Sequence, residues 1–401
     1  MKNPLSLRNP QLMREILIDI TRLLDRKMQG RLPTGVDRVS LEYVRHFGGR
    51  STALVRFAGQ WIELSRRDSE RVFEALLSTD GALFNSLIRW AVARAFPRSI
   101  DQLFAASRFL FNTGHSGLEQ IQYTHRLRYS GLKPLFFVHD LIPLTHPEYC
   151  RPGESARHRA RMNTILGTGQ GIIANSAATL EELTAYAQTN DLPMPSAVVA
   201  LLAPARLPKP SVAIPLSKPY FVILGTIEPR KNHWLILQLW RQLIERFGEN
   251  APRLVIIGQR GWECENVVDL LERCEVLKDF VFEYRACSDA ELSSWLHHAR
   301  ALLFPSFTEG YGMPLVEALM LGVPVIASDL PAFREIAGNI PEYVDPLDGK
   351  RWRELIAEYA LADSPIRLNQ LQRMTKFTAP TWAAHFEQVE ALMERINVAA
   401  R

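Results

Sequence analysis

Along the first 200 residues, short β-rich apolar runs alternate with stretches whose apolar positions recur at helical spacing. Residues 15–20, 52–57, 109–112, 135–139, 171–175 and 197–201 predict strands, and residues 36–47, 69–77, 154–166 and 178–187 predict helices. Strand-then-helix repetition predicts a parallel sheet with helices on both faces. The pattern then breaks. Pro204, Pro208, Pro210, Pro215 and Pro219 fall within sixteen residues, and a chain stiffened in this way forms a linker rather than a core. After it the alternation restarts, with strands at 220–224, 253–257, 280–284, 301–304, 323–327 and 342–344 and helices such as 234–247, 289–298 and 315–321. The expectation is an α/β protein of two doubly wound domains, 1–203 and 220–378, joined by a linker at 204–219. A C-terminal segment, 379–401, holds an amphipathic helix at 381–398. Nothing in its pattern says which domain it packs on, and a return to the N-terminal domain stays open.

Length agrees with this division, since 401 residues exceed the size at which single cores stop growing. The four cysteines, Cys150, Cys264, Cys274 and Cys287, lack metal or disulfide spacing and read as incidental thiols of a reducing compartment. Residues 1–10 lack a secretory pattern, and no apolar run reaches the ~18 residues of a spanning helix. The expected location is the cytoplasm. Charge is uneven: residues 1–200 carry 25 Lys and Arg against 18 Asp and Glu, whereas the rest carry 22 against 25. The first lobe is thus suited to an anionic partner, such as a lipid surface or a phosphate-bearing acceptor. The dispersal of the basic residues and the lack of a recognition motif argue against nucleic acid.

The strongest chemical signal is Phe304-Pro-Ser-Phe-Thr-Glu309-Gly310-Tyr311-Gly312-Met313-Pro314-Leu315-Val316-Glu317. A strand ends at Phe304, a loop carries Glu309, and Pro314 suits a first helical turn. Gly310 and Gly312 let backbone approach a ligand, and free amides from Leu315 and Val316 offer an anion site at the helix start. Glu317, placed in the first turn, is positioned for paired hydroxyls such as a ribose diol, and Glu309 for the sugar end of the same ligand. The bland alternative is a capping carboxylate beside two turn glycines. A second segment, Leu224-Gly225-Thr226-Ile-Glu-Pro229-Arg230-Lys231-Asn232, sets two cations at a helix start, where the dipole disfavours them unless an anion sits between. A diphosphate supplies that anion; a solvated basic pair is the alternative.

Two N-terminal segments are weaker. The strand 136–138 delivers His139 and Asp140 at its carboxyl end, and Arg31-Leu-Pro-Thr34-Gly35-Val-Asp37-Arg38 is a glycine turn whose amides suit phosphate. Residues 87–98, apolar with interspersed arginines and Trp90, fit either a helix lying on an anionic membrane or a packed helix with snorkelling arginines. No Asp-x-Asp, Walker motif, nucleophile elbow or H-E-x-x-H occurs. Gly310-Tyr-Gly312 lacks the third glycine of a dinucleotide fingerprint, because Leu315 stands there, so a dehydrogenase is disfavoured.

Together these residues resemble glycosyltransferase family four, the retaining GT-B enzymes, most sharply over residues 220–344. The family's Glu, seven residues, Glu pattern is met by Glu309 and Glu317, its Arg-Lys pair by Arg230 and Lys231, its N-domain glycine loop by Gly35 and its strand-end His by His139. Residues 138–147 and 34–38 are most similar to bacterial mannosyltransferases of O-antigen, capsule or exopolysaccharide assembly. The resemblance implies two Rossmann-like domains facing each other across a cleft, the N-terminal one for the acceptor and the C-terminal one for a nucleotide sugar. It implies catalytic roles for His139, Glu309, Arg230 and Lys231. Donor contacts fall to Gly35, Gly225, Thr226, Gly310, Tyr311, Gly312, Met313, Pro314, Leu315, Val316 and Glu317. It implies retention without a metal or cofactor, a donor such as GDP-mannose, an oligosaccharide or lipid-linked glycan acceptor, and contact with the cytoplasmic face of the inner membrane as an open point. Arg285 stands where the family usually has a glycine near the base. The alternative is a catalytically silent nucleotide-sugar-binding module acting through partners.

Overall fold

The computed structural model describes residues 15–78, 83–99, 104 and 107–399; the reading of residues 1–10 lies outside them. The first domain holds seven strands: β1 (Ile16–Asp19), β2 (Ser51–Phe57), β3 (Gln60–Glu63), β4 (Phe109–Asn112), β5 (Lys133–Val138), β6 (Gly171–Ala174) and β7 (Ser196–Val199). Their order is β3-β2-β1-β4-β5-β6-β7, and neighbours run parallel except β2 and β3. The second domain holds β8 (Tyr220–Leu224), β9 (Arg253–Ile257), β10 (Val281–Tyr284), β11 (Leu302–Phe304), β12 (Val325–Ser328) and β13 (Glu342–Val344), in the order β10-β9-β8-β11-β12-β13 and wholly parallel.

Strands such as Phe221-Val222-Ile223 and Leu135-Phe136-Phe137 are buried on both faces, as a helix-covered parallel sheet requires. The Gly35–Phe47 helix covers one face of the first sheet through Val39, Tyr43 and Phe47. The His233–Phe247 helix covers the second through Trp240, whose ring meets Phe221 edge-on at 5.8 Å. Residues 200–219 contain neither helix nor strand, and Ser293 Oγ and the Ser211 amide fasten them to the Asp289–His297 helix. The Trp382–Ala399 helix lies on the first sheet: His385 bonds Tyr43 Oη at 3.0 Å, and Lys133 Nζ donates to Asn397 Oδ1 at 2.7 Å.

The first sheet departs from a purely parallel arrangement at one edge. Ala58 and Gly59, both at positive φ, turn β2 directly back into antiparallel β3. Four residues with half-buried ends give little periodic signal, so β3 is absent from the sequence pattern. The Ile121–Ser130 helix is absent too, because Ile121 and Tyr129 point to solvent rather than to the core.

Candidate functional site

Strand order reverses between β1 and β4 in one sheet and between β8 and β11 in the other, which opens a crevice at the carboxyl ends of each. The loop after β8 carries Gly225 to Lys231, and the loop after β11 carries Ser306 to Gly312. Asn232, at φ +55°, ends the Pro229–Lys231 turn and starts the long helix, which folds both cations back toward the β11 loop. There Arg230 Nη1 meets Glu309 Oε2 at 2.7 Å and Arg230 Nε meets Glu228 Oε1 at 2.6 Å, while Lys231 Nζ bonds Glu309 Oε1. Ser306 Oγ donates to Glu309 at 2.7 Å. The cations are therefore not a free, solvated pair: Lys231 is buried, Arg230 is half-buried, and both are paired.

The electrostatics follow from that enclosure. Burial opposes the charge on Glu309, but Arg230, Lys231 and the Ser306 hydroxyl overcome it and hold the carboxyl down to about 2. Burial also opposes the charge on Arg230, yet Glu309 and Glu228 hold it above its usual value. Lys231 is lowered by burial and by Arg230 beside it, and Glu228 is raised by burial against the pull of both cations. Adjacent His233 is buried, held neutral at about 3 by burial and Lys231, and neither ring nitrogen finds a partner among the described residues.

A cavity of about 670 Å³ lies between the domains. Gly225, Thr226 and Met313 line it from the second domain and Gly35 from the first, with Arg38, Arg285 and Asp289 beside them. Gly225 sits at φ +143°, a backbone conformation that favours glycine, and a Cβ there would touch the Lys231 side chain at 3.5 Å. Arg38 Nη2 and Asp289 Oδ1 span the cleft at 2.6 Å. Glu317 lies behind this pair: buried, it accepts a bond from the Ala205 backbone, and desolvation lifts its carboxyl to about 7 against the pull of Arg38.

Several expectations need correction. Glu317 is the fifth residue of the Met313–Met320 helix, one turn beyond the first-turn position. The Leu315 and Val316 amides are not free, since both turn back to the Gly312 carbonyl at 3.0 and 3.3 Å. Pro314 is the second helical residue, and Leu315 and Val316 are fully buried. Gly310 and Gly312 do permit close approach, but to protein. A Cβ on Gly310 would stand 2.2 Å from the His139 carbonyl, and one on Gly312, at φ +127°, 2.7 Å from the Phe333 ring. Tyr311 is buried and donates its hydroxyl to the Leu202 carbonyl in the first domain. At the first domain's helix start, Asp37 accepts from the Thr34 amide at 2.8 Å and pairs with Arg22 and Arg26, so a carboxylate already occupies the turn at Gly35.

His139 stands at the end of β5 with Nε2 donating to the Thr113 carbonyl at 2.7 Å, and burial keeps it below its ordinary value. Its carbonyl receives Asn175 Nδ2 at 2.8 Å, and the Gly310 carbonyl receives Ser176 Oγ at 2.9 Å. Glu335 reaches across to accept the Ala177 amide at 2.8 Å, capping a first-domain helix from the second domain. The sequence reading left out Glu228, Asp289, Ser176 and Glu335. Glu228 alone offered a signal, as a carboxylate two residues before the cation pair.

Residues 207–364, which hold the β8 and β11 loops, match the family model for glycosyl transferases group 1. In that stretch the second domain resembles the group 1 glycosyl transferases. Over 245 residues the chain is 30% identical to the serotype-specific mannosyltransferase WbdA of Escherichia coli, covering 56% of this chain and 29% of WbdA. It is 33% identical over 152 residues to the O-antigen chain mannosyltransferase RfbU of Salmonella typhimurium, covering 37% of this chain and 41% of RfbU. The chain thus matches less than half the length of either relative. Among solved structures it is similar to Anabaena HepE in complex with UDP and glucose, with a TM-score of 0.62 at 14% identity over 96% of this chain and 99% of that one. The fold is GT-B, and the chain resembles bacterial mannosyltransferases. No helix among the described residues is long and apolar enough to cross a membrane.

Proposed function

We propose that this glycosyltransferase moves a hexose from a nucleotide-diphosphate sugar, GDP-mannose in the leading reading, to a growing bacterial surface glycan. Retention of configuration and independence from metal and cofactor belong to the same proposal. The observation that carries it is the paired, largely enclosed Glu228–Arg230–Lys231–Glu309 cluster at the β8/β11 crevice, beside a cavity large enough for a nucleotide. Arg230 and Lys231 each keep donors beyond those given to the glutamates, and these would hold the diphosphate and offset the charge that develops as it departs. Glu309 would orient the two cations and meet the sugar hydroxyls. Glu317 would take the ribose, and neutral His139 would lie along the sugar. Names of the relatives support mannose as the sugar.

The protein would work in the cytoplasm against the inner membrane. On the Phe84–Ser99 helix, Ile88, Ala91 and Ala95 are buried while Arg89 and Trp90 face solvent, as does Leu83 just before it, a surface suited to an anionic bilayer. The central test is transfer from GDP-mannose, measured with and without a chelator. Sugar transfer unchanged in both Glu309→Ala and Arg230→Ala would overturn the site. A thermal-shift series over GDP, UDP, dTDP and ADP sugars identifies the base, since a ligand at a hundred times its Kd adds roughly 2.7 kcal/mol.

A further inference from the structure

The first domain holds a second cavity, about 1060 Å³, between the β2–β3 hairpin and the Ile121–Ser130 helix. Its floor is built. Arg56 is fixed by Asp19 at 2.9 Å and Ser116 Oγ at 2.7 Å, and it lies where a Cβ on Gly117 would stand. Arg56 also covers the Tyr123 ring, and Arg126 covers Trp61. The rim is different: Phe57 is 60% exposed and Tyr129 75%, the latter against His125 with ring centroids 4.7 Å apart. The Ala58-Gly59 turn holds Phe57 outward, where folding gains nothing from it. Flat apolar faces beside amide and carboxylate groups (Gln60, Gln122, Asp25) match the two sides of a sugar ring, its C–H face and its hydroxyl edge.

Position gives the cavity its meaning. Arg56 lies on β2 and His139 follows β5, and the order β2-β1-β4-β5 puts three inter-strand steps between them. At ~4.8 Å per step the separation is about 14 Å along the same carboxyl edge of the sheet. One hexose cannot span it, whereas a chain of sugars can.

We propose that this groove binds internal sugars of an extended oligosaccharide acceptor, several residues back from the sugar that receives the hexose. The inference rests on the transferase reading above. Its test compares acceptors made of α-linked mannose (a disaccharide, a tetrasaccharide and an octasaccharide) in the wild type, Phe57→Ala, Tyr129→Ala and Tyr129→Phe. The expected result is a wild-type KM that falls with acceptor length. Each alanine variant raises the octasaccharide KM about fivefold, while kcat and the disaccharide KM stay unchanged and Tyr129→Phe restores the wild-type value. A KM independent of length, or alanine variants equal to the wild type, overturns the groove and leaves the transferase reading standing. Absence of transfer to every acceptor sinks the transferase reading instead. Calorimetric binding of the octasaccharide then decides the groove by itself: binding lost in the alanine variants supports it, and no binding to the wild type overturns it.

Discussion

Glu309 and Glu317 belong to one motif, and both carboxyls are largely withdrawn from solvent, yet their surroundings drive them in opposite directions. Glu309 has two cations and a hydroxyl within bonding distance and is held at about 2. Glu317 has the Ala205 backbone and the more distant Arg38, and is lifted to about 7. Desolvation acts on both; what differs is the compensation. The Glu309 end of the cleft is complete before any ligand arrives, whereas at Glu317 a carboxylate stays poorly partnered at neutral pH. An environment of that kind costs stability and is characteristic of ligand sites.

The sharpest way to break the comparison is to strip Glu309 of its partners. Arg230→Ala or Lys231→Ala leaves a buried carboxylate short of a counter-charge, and we expect a loss of about 3–5 kcal/mol in denaturant titrations. Sugar transfer should fall at least about a hundredfold. If stability changes by less than about 1 kcal/mol, the cluster is more hydrated than its burial implies.

Glu317→Gln should act in the opposite sense. A carboxyl whose folded value lies above its ordinary 4.5 binds more protons folded than unfolded, so wild-type stability falls as pH rises from about 4.5 to about 7. The amide variant escapes that cost. We expect it to be more stable than the wild type by about 3 kcal/mol above pH 7, with the difference vanishing by about pH 4.5. Donor KM should nonetheless rise if the carboxylate meets the ribose. A stability difference that does not depend on pH would remove the titration from the account.

How much of this was legible depends on what kind of signal each residue leaves. Alternation of buried strands and amphipathic helices is a local property, so the two sheets could be read from runs such as Tyr220–Leu224 and Phe109–Asn112. The order of strands within each sheet was not, since it depends on crossovers. Glycines were legible as places of close approach but not the object approached: Gly310 meets the His139 carbonyl, a contact made across 171 residues of sequence. The pairing of Arg230 and Lys231 with Glu309 was likewise invisible, because the sequence placed both cations and carboxylate at loop ends without saying that the loops touch. Asp289, Glu335 and Ser176 act only across the cleft and carry no motif of their own.

The smaller effects concern what closes the domains over this contrast. Glu335 caps the Ala177–Thr189 helix from the opposite domain, so Glu335→Ala should cost about 1 kcal/mol and broaden the interdomain distance measured by small-angle scattering. Arg38 is a finer probe. Its bond to Asp289 is half-exposed and worth at most about 0.5 kcal/mol, so Arg38→Ala should barely move the unfolding midpoint. Yet Arg38 is also the cation that restrains Glu317 from rising further. Its removal should shift the upper limb of the wild-type pH–stability curve to higher pH, and a Glu317→Gln background should abolish the shift. A curve that does not move in Arg38→Ala would mean that Glu317 owes its state to burial and the Ala205 backbone alone, leaving Arg38 as a structural tie across the cleft.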